Sequence, residues 1–68
     1  MRDYKKAFVE NLKYYMNDAK MTQEKFAAAV GVDQSTVSAW LRGVIEPTLT
    51  NFCLIAEYFN CSLDDLVG

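Results

Sequence analysis

Hydrophobic residues recur along the chain at intervals of three and four, the spacing that places them on one face of an α-helix. The first such stripe consists of Phe8, Leu12, Tyr15, Met16 and Ala19. It predicts a helix over about residues 4–18, with Asp3 as its N-cap. The period-two alternation of a half-buried strand is absent from the sequence. The pattern therefore predicts an all-α protein.

Start and stop signals divide the rest of the chain into four more helices. Their expected N-caps are Thr22, Asp33, Thr48 and Ser62. The helices are expected at about residues 23–30, 34–42, 48–59 and 63–67. In the fourth helix the inward-facing residues are expected to be Leu49, Phe52, Cys53, Ala56 and Phe59. We expect residues 1–68 to form one domain, a compact five-helix bundle with a single core.

The central segment QEKFAAAVGVDQSTVSAWLRG, residues 23–43, predicts two short helices joined by a tight turn. Gly31 supplies the left-handed backbone that often ends a helix, and Gly43 does the same for the next one. Apolar or small residues form one contact surface between the two helices: Phe26, Ala27, Val30, Val32, Val37 and Trp40. Two helices crossed over such a turn are typical of a helix-turn-helix.

The outward side of the third helix carries small polar residues, with no Lys or Glu between Gln34 and Leu41. A helix that enters the DNA major groove needs amide and hydroxyl groups rather than long acidic chains. Gln34 can bind adenine bidentately, Ser35 can donate or accept, and the Ala39 methyl can touch a thymine methyl. The alternative is that these residues simply begin a surface helix, where capping favours them.

Charge and composition exclude several other classes. The net charge is −2, but residues 1–32 carry +2 and residues 33–68 carry −4, so one surface can still be positive. The chain has no histidine and only two cysteines, Cys53 and Cys61, which excludes a Cys/His zinc site within one chain and a histidine base. We therefore expect no catalytic residues, metal or cofactor. No segment is long and apolar enough for a membrane span or signal peptide, so we expect a cytoplasmic protein without a membrane partner or a disulfide.

The chain resembles the phage-repressor and Cro-like helix-turn-helix regulators, the lambda-repressor-like XRE family, over about residues 8–67. The resemblance is carried by LKYYMNDAKMTQEKFAAAVGVDQSTVSAWLRG, by the Pro47-Thr48-Leu49 start of helix four and by IAEYFNCSLDDLVG. It implies a five-helix bundle that binds a two-fold symmetric operator in double-stranded DNA as a homodimer, while the isolated chain can be monomeric. Many relatives join this module to a further C-terminal domain, so we leave open whether the chain is the first part of a longer regulator.

The resemblance also implies roles for individual residues. Gln23 would contact a phosphate and brace Gln34. Bases would be read by Gln34, Ser35 and Ala39, with Ser38 beside them. Thr36 and Arg42 would be placed to meet phosphates.

Three departures from the family pattern have physical consequences. Met16 and Leu41 occupy positions where relatives often place a buried arginine and glutamate, so we predict that these two side chains touch. Val44, Ile45 and Glu46 replace basic residues, which predicts fewer phosphate contacts. Lys20 occupies a usual helix-stop glycine position, so a positive φ there is strained by about 1 kcal/mol.

The leading hypothesis is a sequence-specific transcriptional regulator, expected to be a repressor, and not an enzyme with a small-molecule substrate. The alternative is a protein-interaction module on the same fold, such as an antitoxin or adaptor, suggested by the acidic second half and by Val44 and Ile45.

The dimer surface is expected at the last helix and its flanks. There Leu63 and Leu66 are expected to pack on helix four, while Val67 is the candidate for the interface.

Overall fold

The computed structural model describes residues 3–68 and contains five α-helices and no strand within that range. In chain order the helices are α1 Tyr4–Asp18, α2 Gln23–Val30, α3 Gln34–Leu41, α4 Leu49–Phe59 and α5 Leu63–Val67. The prediction of an all-α bundle is confirmed. No helix in this part of the chain is both long and apolar enough to cross a membrane.

Four of the five helices begin with a side chain that accepts a backbone N–H, as the sequence predicts. The acceptors are Asp3 (from Lys6, 3.0 Å), Thr22 (from Lys25, 3.1 Å), Thr48 (from Asn51, 3.2 Å) and Ser62 (from Asp65, 3.1 Å). Asp65 also accepts from the Ser62 N–H at 3.0 Å, which completes a capping box.

Helix α3 differs from the prediction at both ends. Asp33 holds the N-cap position, but its side chain makes no capping bond, so this part of the prediction is wrong. Its carbonyl oxygen accepts from the Thr36 and Val37 N–H groups at 3.0 and 3.3 Å instead. The helix ends at Leu41, with Arg42 as its C-cap, and α4 starts at Leu49 after Thr48, each one residue inside the expected bounds.

One type of chain reversal ends each of the first four helices. A residue with positive φ follows the last turn: Lys20 (55°), Gly31 (79°), Gly43 (71°) and Asn60 (54°). The next residue then donates its N–H to a carbonyl five positions back: Met21 to Met16, Val32 to Ala27, Val44 to Ala39 and Cys61 to Ala56, at 2.9–3.0 Å. This is the Schellman turn, which satisfies carbonyls that a helix end would otherwise leave free. The positive φ considered for Lys20 is therefore present.

Aromatic rings join three helices in the core. The Phe59 ring of α4 stacks on Tyr15 of α1 at 5.3 Å and on Phe26 of α2 at 5.4 Å between ring centroids. The buried apolar residues around this group are Phe8, Leu12, Met16, Phe26, Ala27, Val30, Val37, Trp40, Ile55, Ala56 and Leu66. Every helix contributes at least one of them, so a single core holds the bundle together.

The first and last helices meet directly. α1 packs against α5, and the Asn11 Nδ2 group of α1 donates to the carbonyl oxygen of Leu66 at 3.0 Å. That carbonyl lies in the last turn of α5, where no intrahelical partner is available. Leu66 itself is fully buried, as predicted.

Several expected core positions are wrong. Leu49 is 74% exposed, whereas Ile55, which was not expected inward, is fully buried. Eight of the eleven residues of α4 are apolar, more than one face can bury, so several of them are equally good candidates for the core. Ala19 lies in the exposed turn after α1, and Leu63, the first residue of α5, is 39% exposed.

Met16 and Leu41 share one environment. Met16 is buried, and Leu41 is half-buried against the core. Both side chains line the same surface depression, so neither stands alone in solvent. Direct contact between the two side chains stays a prediction.

Candidate nucleic-acid interface

Helices α2 and α3 pack on each other and on the core through their apolar sides. Phe26 and Ala27 of α2 are buried, as are Val37 and Trp40 of α3, the last at 1% exposure. The buried indole of Trp40 fixes the rotation of α3 about its own axis. The opposite side of α3 therefore faces outward. The sequence predicted these contacts, and the structure brings all of them together.

The turn between the two helices fixes their crossing. Gly31 and Val32 both donate backbone N–H groups to the Ala27 carbonyl oxygen, at 2.9 and 3.0 Å. The left-handed φ at Gly31 reverses the chain, and Val32 packs against the core beneath the corner. α3 therefore starts from a rigid corner rather than from a flexible loop.

The outward side of α3 carries five of the seven predicted site residues, which we call the polar edge: Gln34, Ser35, Ser38, Ala39 and Arg42. Successive residues of an α-helix are about 100° apart, so positions separated by one, four, five and eight residues share one side. Gln34, Ser35 and Arg42 are exposed, and Ser38 and Ala39 are half-buried. None is packed inside the bundle, so the edge is open to a partner.

The remaining two predicted residues lie at the margins of this edge. Thr36 is half-buried and falls on the helix side between Ala39 and the anchored Trp40. Gln23, the first residue of α2, is half-buried and lines the depression that also contains Leu41. Within the described chain no hydrogen bond joins Gln23 to Gln34, so the implied bracing is not made in this structure.

The segment after α3 is apolar and open to solvent. Val44 is 60% exposed and Ile45 is 46% exposed. In the other three Schellman turns the residue at the position of Val44 packs against the core. The turn after α3 therefore presents apolar side chains next to Arg42.

A basic depression beside the polar edge was not predicted from the sequence. It has a volume of about 610 Å³ and lies between α1 and the end of α3. Four cationic residues line it, together with Asp3 and Glu10: Lys5, Lys6, Lys13 and Arg42. The available signal was the seven-residue spacing of Lys6 and Lys13, which places both on one side of α1.

The packed helix pair, its rigid corner and the outward polar edge define the class of protein as helix-turn-helix. Comparison with protein families agrees, since residues 12–66 match the family described as "Helix-turn-helix". The chain therefore belongs to the helix-turn-helix family.

Similar proteins are found in an archaeon and a bacterium. The chain is 34% identical over 55 residues to an uncharacterized HTH-type transcriptional regulator of Methanocaldococcus jannaschii, covering 81% of this chain and 83% of that protein. It is also 34% identical over 53 residues to the HTH-type transcriptional regulator DicA of Escherichia coli K12. That match covers 78% of this chain but only 39% of DicA.

A solved structure has the same fold. The solution structure of an SOS-response transcriptional repressor, LexA from Eubacterium rectale, matches with a TM-score of 0.91 and 32% sequence identity. The match covers all of this chain and 73% of that chain. All five helices described above thus have counterparts in one known helix-turn-helix arrangement.

Proposed function

We propose that the protein reads a specific DNA sequence in the major groove with the polar edge of α3, as one domain over residues 1–68, and represses transcription there. The broader assignment follows from the family and the named relatives: the chain is a DNA-binding transcriptional regulator rather than an enzyme. Such a protein acts where chromosomal DNA is found, which in bacteria and archaea is the cytoplasm.

One observation carries the proposal. Trp40 and Val37 are buried while Gln34 and Ser35, on the other side of the same helix, are exposed. In the major groove Gln34 can pair with adenine N6 and N7, Ser35 can donate or accept, and Ala39 permits close approach to a thymine methyl. Gln23, Thr36, Ser38 and Arg42 would complete the site through phosphate and neighbouring contacts.

Repression is the simplest outcome of such binding. A small helix-turn-helix protein on an operator excludes other proteins from the same stretch of DNA. The structural relative named as a transcriptional repressor supports this choice.

We propose that the operator is bound by a homodimer. A two-fold pair of recognition helices reads two half-sites about 34–36 Å apart. The candidate contact surface includes Leu63 at 39% exposure, Leu49 at 74% exposure and the half-buried Val67. Because Leu63 is 39% exposed, it joins Val67 as an interface candidate.

A second candidate function is binding of another protein on the same fold. The exposed Val44 and Ile45, in an acidic half of the chain, favour it. An exposed apolar pair at this place can contact the surface of another protein as readily as the edge of a DNA duplex.

Titration against fluorescent random-sequence duplex at about 50 mM and about 200 mM salt separates the two functions. A DNA-binding protein should bind at low salt and lose affinity steeply as salt rises. Selection from a pool of random duplexes should then return a two-fold symmetric site. Absence of binding even at low salt would contradict the proposed function and favour a protein partner.

A further inference from the structure

We infer that Lys13 of α1 is a further contact to the DNA backbone, placed between Gln23 and Arg42, the two outer residues of the proposed site. The inference rests on the proposed function and extends its binding surface from α2 and α3 onto α1.

Two depressions meet at Lys13. One, of about 440 Å³, contains Gln23 at the start of α2, and the other, of about 610 Å³, contains Arg42 after α3. Lys13 and Leu41 line both of them. Leu41 is half-buried, whereas Lys13 is exposed. Its ammonium group can therefore reach an anion at either opening.

The end of α3 is held against α1 at this point. A Cβ atom on Gly43 would lie 3.8 Å from the Val9 Cγ2 atom, an ordinary packing distance. Arg42 precedes Gly43, and Lys13 lies one helical turn beyond Val9 on α1. The two cations thus belong to one continuous surface, although 29 positions separate them in the sequence.

Charge at this place favours a polyanion such as DNA over a basic or neutral partner. The depression beside Arg42 has four cationic and two acidic side chains, in a chain whose net charge is −2. Local positive charge on a negative protein attracts DNA to one side and repels it elsewhere. Lysine suits this role because its flexible stem delivers a compact charge to a phosphate oxygen.

The test compares salt dependence of duplex binding for the full chain and three variants. Lys13→Gln should lower the slope of log K against log salt by about 0.9, the value for one lost phosphate contact on B-DNA. Lys13→Arg should keep the wild-type slope because it keeps the charge. Lys20→Gln is the matched control, since Lys20 is an exposed lysine that lines neither depression.

Each outcome is decisive. A reduced slope for Lys13→Gln alone, with an unchanged melting temperature, supports the inference. An unchanged slope for Lys13→Gln overturns it while leaving the proposed function intact, as does an equal reduction for Lys20→Gln, which would reveal only a general charge effect. Failure of the wild-type chain to bind any duplex would overturn both the inference and the proposed function.

Discussion

The backbone N–H of Val32 donates to the carbonyl oxygen of Ala27 at 3.0 Å, and this bond closes the corner between α2 and α3. The bond requires the left-handed φ of 79° at Gly31. The angle at which α3 presents its polar edge therefore depends on Gly31, a residue that is not among those predicted to contact DNA.

Gly31→Ala should destabilise the protein through this corner. No atom lies within 4 Å of the position of an added Cβ, so the cost is backbone strain alone, about 1–2 kcal/mol. In a domain of this size each kcal/mol of lost stability lowers the melting temperature by roughly 4–8 °C. Thermal unfolding followed by circular dichroism measures it, and an unchanged melting temperature would show that the strain is absorbed elsewhere.

Lys20→Gly should have the opposite effect. Lys20 holds the same left-handed conformation with a φ of 55°, and glycine relieves that strain at a gain of about 1 kcal/mol. Asn60→Gly is the control, because asparagine tolerates this conformation better and should gain less. Urea unfolding of both variants gives the comparison. A larger gain at Asn60 would contradict the argument.

Met16 and Leu41 should behave as a coupled pair. Met16→Arg alone places an unpaired charge in a buried position and should cost about 3–5 kcal/mol. Adding Leu41→Glu should restore part of this loss by supplying the opposite charge, although Leu41→Glu alone destabilises as well. A double-mutant cycle in urea measures the coupling. Additive losses would mean that the two side chains do not interact.

Gln34→Ala should weaken binding to the selected operator by about 1–3 kcal/mol, roughly 5- to 150-fold. Its affinity for random duplex should stay at the wild-type value, because phosphate contacts are retained. Fluorescence anisotropy on both duplexes separates the two effects. An equal loss on random duplex would place Gln34 at the backbone instead of the bases.

Val44→Lys should strengthen non-specific binding. The side chain is 60% exposed beside Arg42, where a cation can gain a phosphate contact and steepen the salt slope by about 0.9. Leu54→Lys, an exposed apolar position on α4, is the matched control and should leave the slope unchanged. Equal effects at both positions would mean that the segment after α3 does not face the duplex.

Much of this architecture could be predicted from the sequence because its signals are local. Thr22, Thr48 and Ser62 begin helices by bonds within three residues, and Gly31 ends one within the same turn. Which side of each helix would face the core was harder to predict from the sequence. Helix α4 has more apolar residues than its buried face can hold, so only the packed bundle decides that Ile55 is inside and Leu49 outside.

The candidate site divides in the same way. The polar edge of α3 could be predicted because helical spacing places it on the side opposite Val37 and Trp40. Lys13 could not be identified from the sequence, because the depressions that it lines also contain Gln23 of α2 and Arg42 at the end of α3. The spacing of Lys6 and Lys13 within α1 does not indicate which parts of the chain lie beside them. Charge summed along the chain indicated a positive first half without locating the surface.

The hydrogen bond between Asn11 and Leu66 has a consequence for synthesis. The two residues lie 55 positions apart, and a ribosome adds about 5–20 residues per second, so α1 waits roughly 3–11 s for its partner. During that interval the side of α1 that packs on α5 has no partner in the growing chain. The bundle can therefore close only after its last helix has been made.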